Sequence, residues 1–243
     1  TWAFYRIRPQ NNARIVSEIQ KLVTSETEPL QVRKNAARAL GAMKTNNAQL
    51  EVHKTLLTTL KLRSPEYAML RYYAIDSLAQ LSASQPEVVE ALVNTAAAAD
   101  DQSLRVVALQ TLRTIGSAGS EAIASVAGMA KRSDNLEIKT EAVRLLGDAG
   151  SDETVGIARS VLESSASANI YKKVGYALSR IDTDEAVELL IDMAADSDQT
   201  DFLVGLLREM DPATLRKVVQ RRRQTESNQA VVQILDRIES AAM

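Results

Sequence analysis

The chain of 243 residues carries 29 Lys/Arg against 31 Asp/Glu, a formal net charge of −2, with 45% apolar, 25% charged and 4% aromatic residues. This is the balance of a folded, soluble protein, without the basic excess that general nucleic-acid binding asks for. The complete lack of cysteine excludes disulfides and thiolate chemistry, and no apolar run approaches the roughly 20 residues that cross a bilayer.

The charge is unevenly spread. Residues 1–64 hold 11 Lys/Arg against 4 Asp/Glu, and residues 151–211 hold 5 against 13. Such polarity can orient an encounter. Alanine supplies much of the apolar share, which favours closely packed helices over sheets.

Taken in order, the chain opens on Thr1-Trp2-Ala3-Phe4-Tyr5-Arg6-Ile7-Arg8-Pro9, an aromatic and basic start to an aromatic-poor protein. Two readings stand side by side. Trp2 and Phe4 cover the open end of a first repeat, or the stretch is the interfacial flank of a membrane anchor upstream of Thr1. Residues 1–10 are therefore set apart as a lead-in or cap, and 11–243 as one repeat domain. The compartment stays open between cytoplasmic and periplasmic or membrane-proximal.

From Asn11 onward the apolar spacing predicts helix pairs. First helices fall at about 11–24, 48–62, 86–99, 120–131, 152–163, 184–195 and 212–223. The second helices align on one leucine, at Leu40, Leu78, Leu112, Leu146, Leu178, Leu207 and Leu235, spaced by 38, 34, 34, 32, 29 and 28 residues. A unit of that length is two helices and two turns. Seven residues before the leucine stand Arg33, Arg71, Arg105 and Lys139, and four before it Ala36, Ala74, Ala108 and Ala142. The last three units replace both, as terminal units of an array do.

The segments LQVRKNAARALGAM, SLRVVALQTLRTIG and LEIKTEAVRLLGDAGSDETVGIA resemble HEAT repeats, in particular the short PBS-lyase HEAT-like kind with its V-R-x-x-A-x-x-A-L-G core. The resemblance spans about 11–243 and is strongest over 28–163. It implies an all-α, right-handed α-solenoid of about seven HEAT-like helix pairs. It also implies that second helices line a concave face, and that the aligned basic residues pair with acidic turn residues of a neighbouring unit, here Asp101 and Asp134.

Chemistry is sparsely signalled. His53 is the chain's one histidine, with no partner for a metal site, and the repeated His-Glu pairs of HEAT-like di-iron hydroxylases do not occur. No phosphate-cradling glycine loop or nucleophile elbow is present. Turn carboxylates such as Asp182, Asp184, Asp196 and Asp198 read as helix caps. Arg221-Arg222-Arg223 reads as a solvated helix C-terminus favourable to the dipole.

The outward positions of the second helices lie six, five and two residues before the aligned leucine. There Tyr72, Tyr73, Val106 and Val107 place aromatic and aliphatic groups where polar residues are expected, with Arg38, Arg144, Lys172 and Tyr176 around them. Exposed apolar groups rimmed by charge suit protein binding. The expectation is a noncatalytic scaffold or adaptor that needs no cofactor and binds another protein on the concave face. The alternatives are a bilin-lyase-like HEAT enzyme or chaperone, and binding to an acidic surface through the basic first quarter.

Overall fold

The computed structural model describes residues 13–43, 49–82, 84–116, 119–165 and 167–240. The proposed lead-in 1–10, with Trp2 and Phe4, lies outside them, as does the boundary drawn at 10/11. Among the described residues the regular elements are fourteen α-helices and one 3-10 turn, Pro65–Tyr67. They run in pairs: α1 (Ala13–Thr24) and α2 (Leu30–Ala42), α3 (Gln49–Leu60) and α4 (Ala68–Gln80), α5 (Pro86–Ala98) and α6 (Gln102–Ile115), α7 (Ser120–Arg132) and α8 (Leu136–Asp148). Then follow α9 (Glu153–Ser164) and α10 (Ala168–Leu178), α11 (Asp184–Ala195) and α12 (Thr200–Glu209), α13 (Pro212–Thr225) and α14 (Gln229–Ser240). This is the expected all-α series of seven helix pairs.

Local chemistry sets the ends. Pro86 and Pro212 occupy the first turn of their helices, where a missing N–H costs nothing. Asp101, Asn135, Ser167, Thr183 and Asp211 accept from backbone N–H groups of the helices they precede. Gly150, at φ 66°, closes the pair quoted above: its N–H donates to Gly147 O, and Ser151 N donates to Leu146 O, each at 2.9 Å. Left-handed backbone there favours glycine.

The chain divides into two compact units, Thr1–Ala122 and Ile123–Met243, with the division in the first turn of α7. In the first unit α1, α3 and α5 pack in succession as one layer, and α2, α4 and α6 as a second. Gln20 Nε2 donates to Thr55 Oγ1 at 2.9 Å across the first layer. In the second unit the layers are α9, α11 and α13 against α8, α10, α12 and α14, and α11 also packs on α14.

The aligned leucines are the centre of this packing. All seven, Leu40 to Leu235, are at most 1% exposed, which puts each at about 1.5–3 kcal/mol of burial. Ala36, Ala74, Ala108 and Ala142, one turn earlier, are all fully buried.

The basic ladder does something other than the resemblance implied. Arg33 Nε donates to Val23 O at 3.0 Å, and Arg105 Nε donates to Ala96 O at 2.7 Å. Each guanidinium thus closes the C-terminal carbonyls of the first helix in its own pair, groups that have no partner inside their helix. Asp101 is already occupied as a cap, accepting from Ser103 N and Leu104 N at 2.8 and 3.4 Å.

The arginine run in α13 is also a correction. Successive residues on a helix point about 100° apart, so the three side chains reach different helices. Arg221 donates to Asp184 and Glu188 of α11 at 2.9 and 2.6 Å, and Arg222 donates to Asp192 of α11 at 2.8 Å. Arg223 reaches Asp236 and Glu239 of α14 at 2.6 and 2.7 Å. Asp184, Glu188 and Asp192 stand four residues apart and present one acidic stripe, which Lys217 joins at 2.8 Å from Asp184. The run fastens three helices instead of ending in solvent.

Candidate functional site

The eight residues singled out in the sequence fall into two groups, one in each unit. In the first unit Arg38 of α2 and Tyr72 and Tyr73 of α4 come together. The two tyrosine rings meet edge to face, with centroids 5.7 Å apart and planes at 87°. The Arg38 guanidinium lies 5.1 Å from the centre of the Tyr73 ring. Tyr72 is exposed and Tyr73 half-buried, and Met69, three residues before Tyr72 and so on the same helical face, is 47% exposed. An aromatic pair of this geometry contributes about 0.5–1.5 kcal/mol, so the rings are held in place before any partner arrives.

Val106 does not belong to this surface. It is 7% exposed, and Val107 is half-buried. Helical angles supply the reason. At about 100° per residue, positions five and two before the leucine lie nearly opposite it. The position six before it is only about 120° away, at the edge where an adjoining helix covers it. Tyr72 and Lys172 share that position and stay exposed, whereas Thr140 is as buried as Val106.

In the second unit Lys172 and Tyr176 come together on Phe202, and Arg144 reaches the same helix by way of Glu141 and Lys173; the sequence alone singled out neither Phe202 nor Glu141. Tyr176 of α10 is 57% exposed. Its ring stands edge to face on Phe202 of α12, centroids 5.0 Å apart, and Lys172 Nζ lies 6.0 Å from the centre of the Phe202 ring. Beside them Glu141 of α8 is 2% exposed. Arg144 Nη1 donates to both its oxygens, at 3.1 and 2.9 Å, and Lys173 Nζ donates to Oε1 at 3.2 Å. A carboxylate at an outward position is thus covered by the cations laid over it. Phe202 stands five residues before Leu207, the position of Tyr73, so carrying the register one unit further would have found it. Glu141 carries no signal in the sequence that separates it from a solvated acid.

The two groups obey one rule. The residue two before the leucine in one second helix meets the residue five before it in the next, as Arg38 meets Tyr73 and Tyr176 meets Phe202.

One other concave place is already spanned by ion pairs. A cleft of about 370 Å³ in the second unit is lined by Tyr171, Asp192, Arg222 and Glu226 among others. Arg222 there bridges Asp192 and Glu226, both at 2.8 Å. Burial, and then the nearby Asp196 charge, push the Tyr171 hydroxyl above its ordinary value, which keeps it protonated. His53 is 2% exposed with both ring nitrogens unpaired. Burial holds its pKa below the usual 6.5, against an opposing influence from Gln85. Among the described residues no group of three His, Cys, Asp or Glu side chains is placed to hold a metal ion.

Comparison with known proteins agrees with the helix-pair architecture. The family of HEAT repeats matches residues 129–203, from the end of α7 to the start of α12. Among solved structures, the YibA protein of Escherichia coli superposes with a TM-score of 0.62 at 15% identity, over 98% of this chain and 91% of that one. Importin beta superposes with a TM-score of 0.62 at 16% identity, over 98% of this chain and 39% of that one. No curated protein matches the sequence.

Proposed function

We propose that this HEAT-repeat chain is a noncatalytic scaffold that binds another protein through the outward strip of its second helices. One observation carries the reading: aromatic pairs, Tyr72 with Tyr73 and Tyr176 with Phe202, each stand on that strip with a cation beside the half-covered ring. Nothing in helix packing asks for an exposed ring at such a position. Ordered aromatic groups with a polar rim are what interface hot spots are made of, and tyrosine offers large contact area at small entropic cost. The fold shared with importin beta, a HEAT-like array, is a frame on which such strips recur unit by unit.

Binding to an acidic surface through the basic first quarter is less favoured, because part of that charge is used internally. Arg33 is buried on Val23 O, Lys21 pairs with Glu18 at 2.8 Å, and Lys54 pairs with Glu51 at 2.8 Å.

The test is affinity capture with the chain as bait, repeated with Tyr73→Ala and with Tyr176→Ala. Specific proteins held by the parent should be lost from one variant or both, while thermal midpoints stay within about 2 °C of the parent, since a change confined to the surface costs little. Loss of fold stability in step with loss of capture would make the rings structural and sink the reading.

A further inference from the structure

We propose that the second unit's strip receives an acidic segment of a partner protein, its aromatic or leucine anchor seated on Tyr176, Phe202 and Gly205 and its carboxylates held by Lys172, Lys173 and Arg144. This rests on the protein-binding reading above and adds the place and the chemistry of the partner.

Charge is the first argument. Two cations close on one carboxylate, Glu141, which is 2% exposed and so is spent entirely on Arg144 and Lys173. Both bonds from Arg144 leave through Nη1 alone, and Lys173 gives one bond of its three. The side chains keep 27% and 31% of their surface open. Glu141 therefore works as an internal anchor that immobilises two cations while leaving donors on each. Lys172, exposed beside Lys173 on the same turn of α10, adds a third. A site with fixed donors and a surplus of positive charge recognises anions, and a guanidinium held in place favours the planar, two-oxygen carboxylate.

Shape is the second argument. Gly205 lies in the interior of α12, three residues after Phe202 and on the same face. A Cβ there would meet nothing within 4 Å. Glycine in a helix interior is less stable than alanine, and the packing of this protein does not require it here. Its bare backbone leaves a shallow floor beside Phe202. Gly156 of α9 is equally open, but it stands on a first helix. Through Phe202 the open floor adjoins the Tyr176 ring and Lys172, which is the form of an anchor site with an electrostatic rim.

The wider field decides between kinds of anion. Residues 151–211 carry 13 Asp/Glu against 5 Lys/Arg. A long polyphosphate chain or an anionic membrane would meet that acidic surround as well as the three cations. A short acidic segment need touch only the patch, and the rings give its apolar side chain a seat.

The probe is a labelled short peptide of aspartates and glutamates around a central phenylalanine, titrated by fluorescence anisotropy with the full chain. A phosphatidylserine vesicle and a single-stranded oligonucleotide serve as the competing probes. The peptide should bind saturably, and its counterpart in asparagine and glutamine should bind about tenfold less tightly or not at all. Tyr176→Ala, Gly205→Leu and Lys172→Glu should each weaken peptide binding about tenfold or more with the thermal midpoint retained. Tyr73→Ala, in the other unit, should leave peptide binding unchanged. Peptide binding indifferent to Tyr176 and Gly205, tighter binding to oligonucleotide or vesicle, or no saturable peptide binding by the folded chain would each overturn the assignment. If Tyr73→Ala still abolishes protein capture in that case, the scaffold reading stands and the acidic-partner inference alone falls.

Discussion

Gly147 and Ala177 face each other across the contact of α8 with α10 so closely that a Cβ on the glycine would stand 2.5 Å from the Ala177 carbonyl oxygen and 2.7 Å from its Cα. Gly41 meets Ser77 in the same way across α2 and α4, at 2.7 Å from its Cα. Ser77 Oγ also donates to Ala37 O at 2.9 Å. Each glycine directly follows an aligned leucine, so the Leu-Gly step in the sequence marks where two second helices touch backbone to backbone.

Gly147→Ala and Gly205→Ala should therefore move stability in opposite directions. At Gly147 the new methyl collides with backbone that cannot swing away, a loss of about 1–3 kcal/mol. At Gly205 the methyl meets open space, and the alanine should gain up to about 1 kcal/mol. Urea denaturation of the two variants checks this, and an unaltered midpoint for Gly147→Ala would mean that α8 and α10 are further apart than described.

Equivalent arginines should respond differently. Arg33 is 5% exposed and hydrogen-bonded to Val23 O. Arg33→Ala strands that carbonyl and should cost about 1.5–3 kcal/mol. Arg71 is 3% exposed, and its Nε has no partner. Arg71→Met, which keeps the stem and discards an incompletely satisfied charge, should be neutral or stabilising. A large loss on Arg71→Met would show that the rest of its guanidinium is well bonded.

Acid should loosen the two units in different pH ranges. Burial lowers the pKa of His53 from 6.5, so the unfolded chain binds the proton first as pH falls. Stability is then lost from pH 6.5 downward until the folded value is reached. Asp184 runs the other way: the hydrogen bond from Lys217, helped by Arg221, lowers its pKa from 3.8. Its contribution is present above 3.8 and is lost only as pH drops below that value. Hydrogen exchange at about pH 7 and pH 5.5, corrected for intrinsic rates, should show α3 and α5 opening more readily at the lower value while α11 and α13 hold. In His53→Leu the difference in α3 and α5 should vanish.

Leu112→Ala tests the register itself. Leu112 is 1% exposed, and the substitution should cost about 2–5 kcal/mol. A loss under about 0.5 kcal/mol would place a different residue at the centre of that unit.

The architecture was legible because its signals are local and repeat. Pro86, Asn135 and Gly150 announce helix ends, and Leu40 to Leu235 return at a near-constant interval. Whatever depends on the neighbouring helix was harder to read. Val106 and Tyr72 occupy the same register position, and only the covering helix distinguishes the buried one from the exposed one. Glu141 looks like a surface acid until α10 brings Lys173 to it from 32 residues away. Apart from Glu226 one turn after Arg222, the three arginines of α13 have acidic partners 13 to 37 residues distant, beyond the reach of any helical pattern. Arg33 and Arg105 of the basic ladder were misread for the opposite reason: their partners lie inside their own pairs.

That last closure bears on how such a chain can change length. The bonds from Arg33 to Val23 and from Arg105 to Ala96 span only 10 and 9 residues and cross no unit boundary. A whole pair can be duplicated or deleted with its closing bond intact, and no neighbour has to supply a new partner. The ties of Arg221 and Arg222 to α11 reach back a full unit, so the same edit made there would strip both of their α11 acids at once. Copying is easy for the pairs closed by Arg33 and Arg105 and penalised where α13 is tied back to α11.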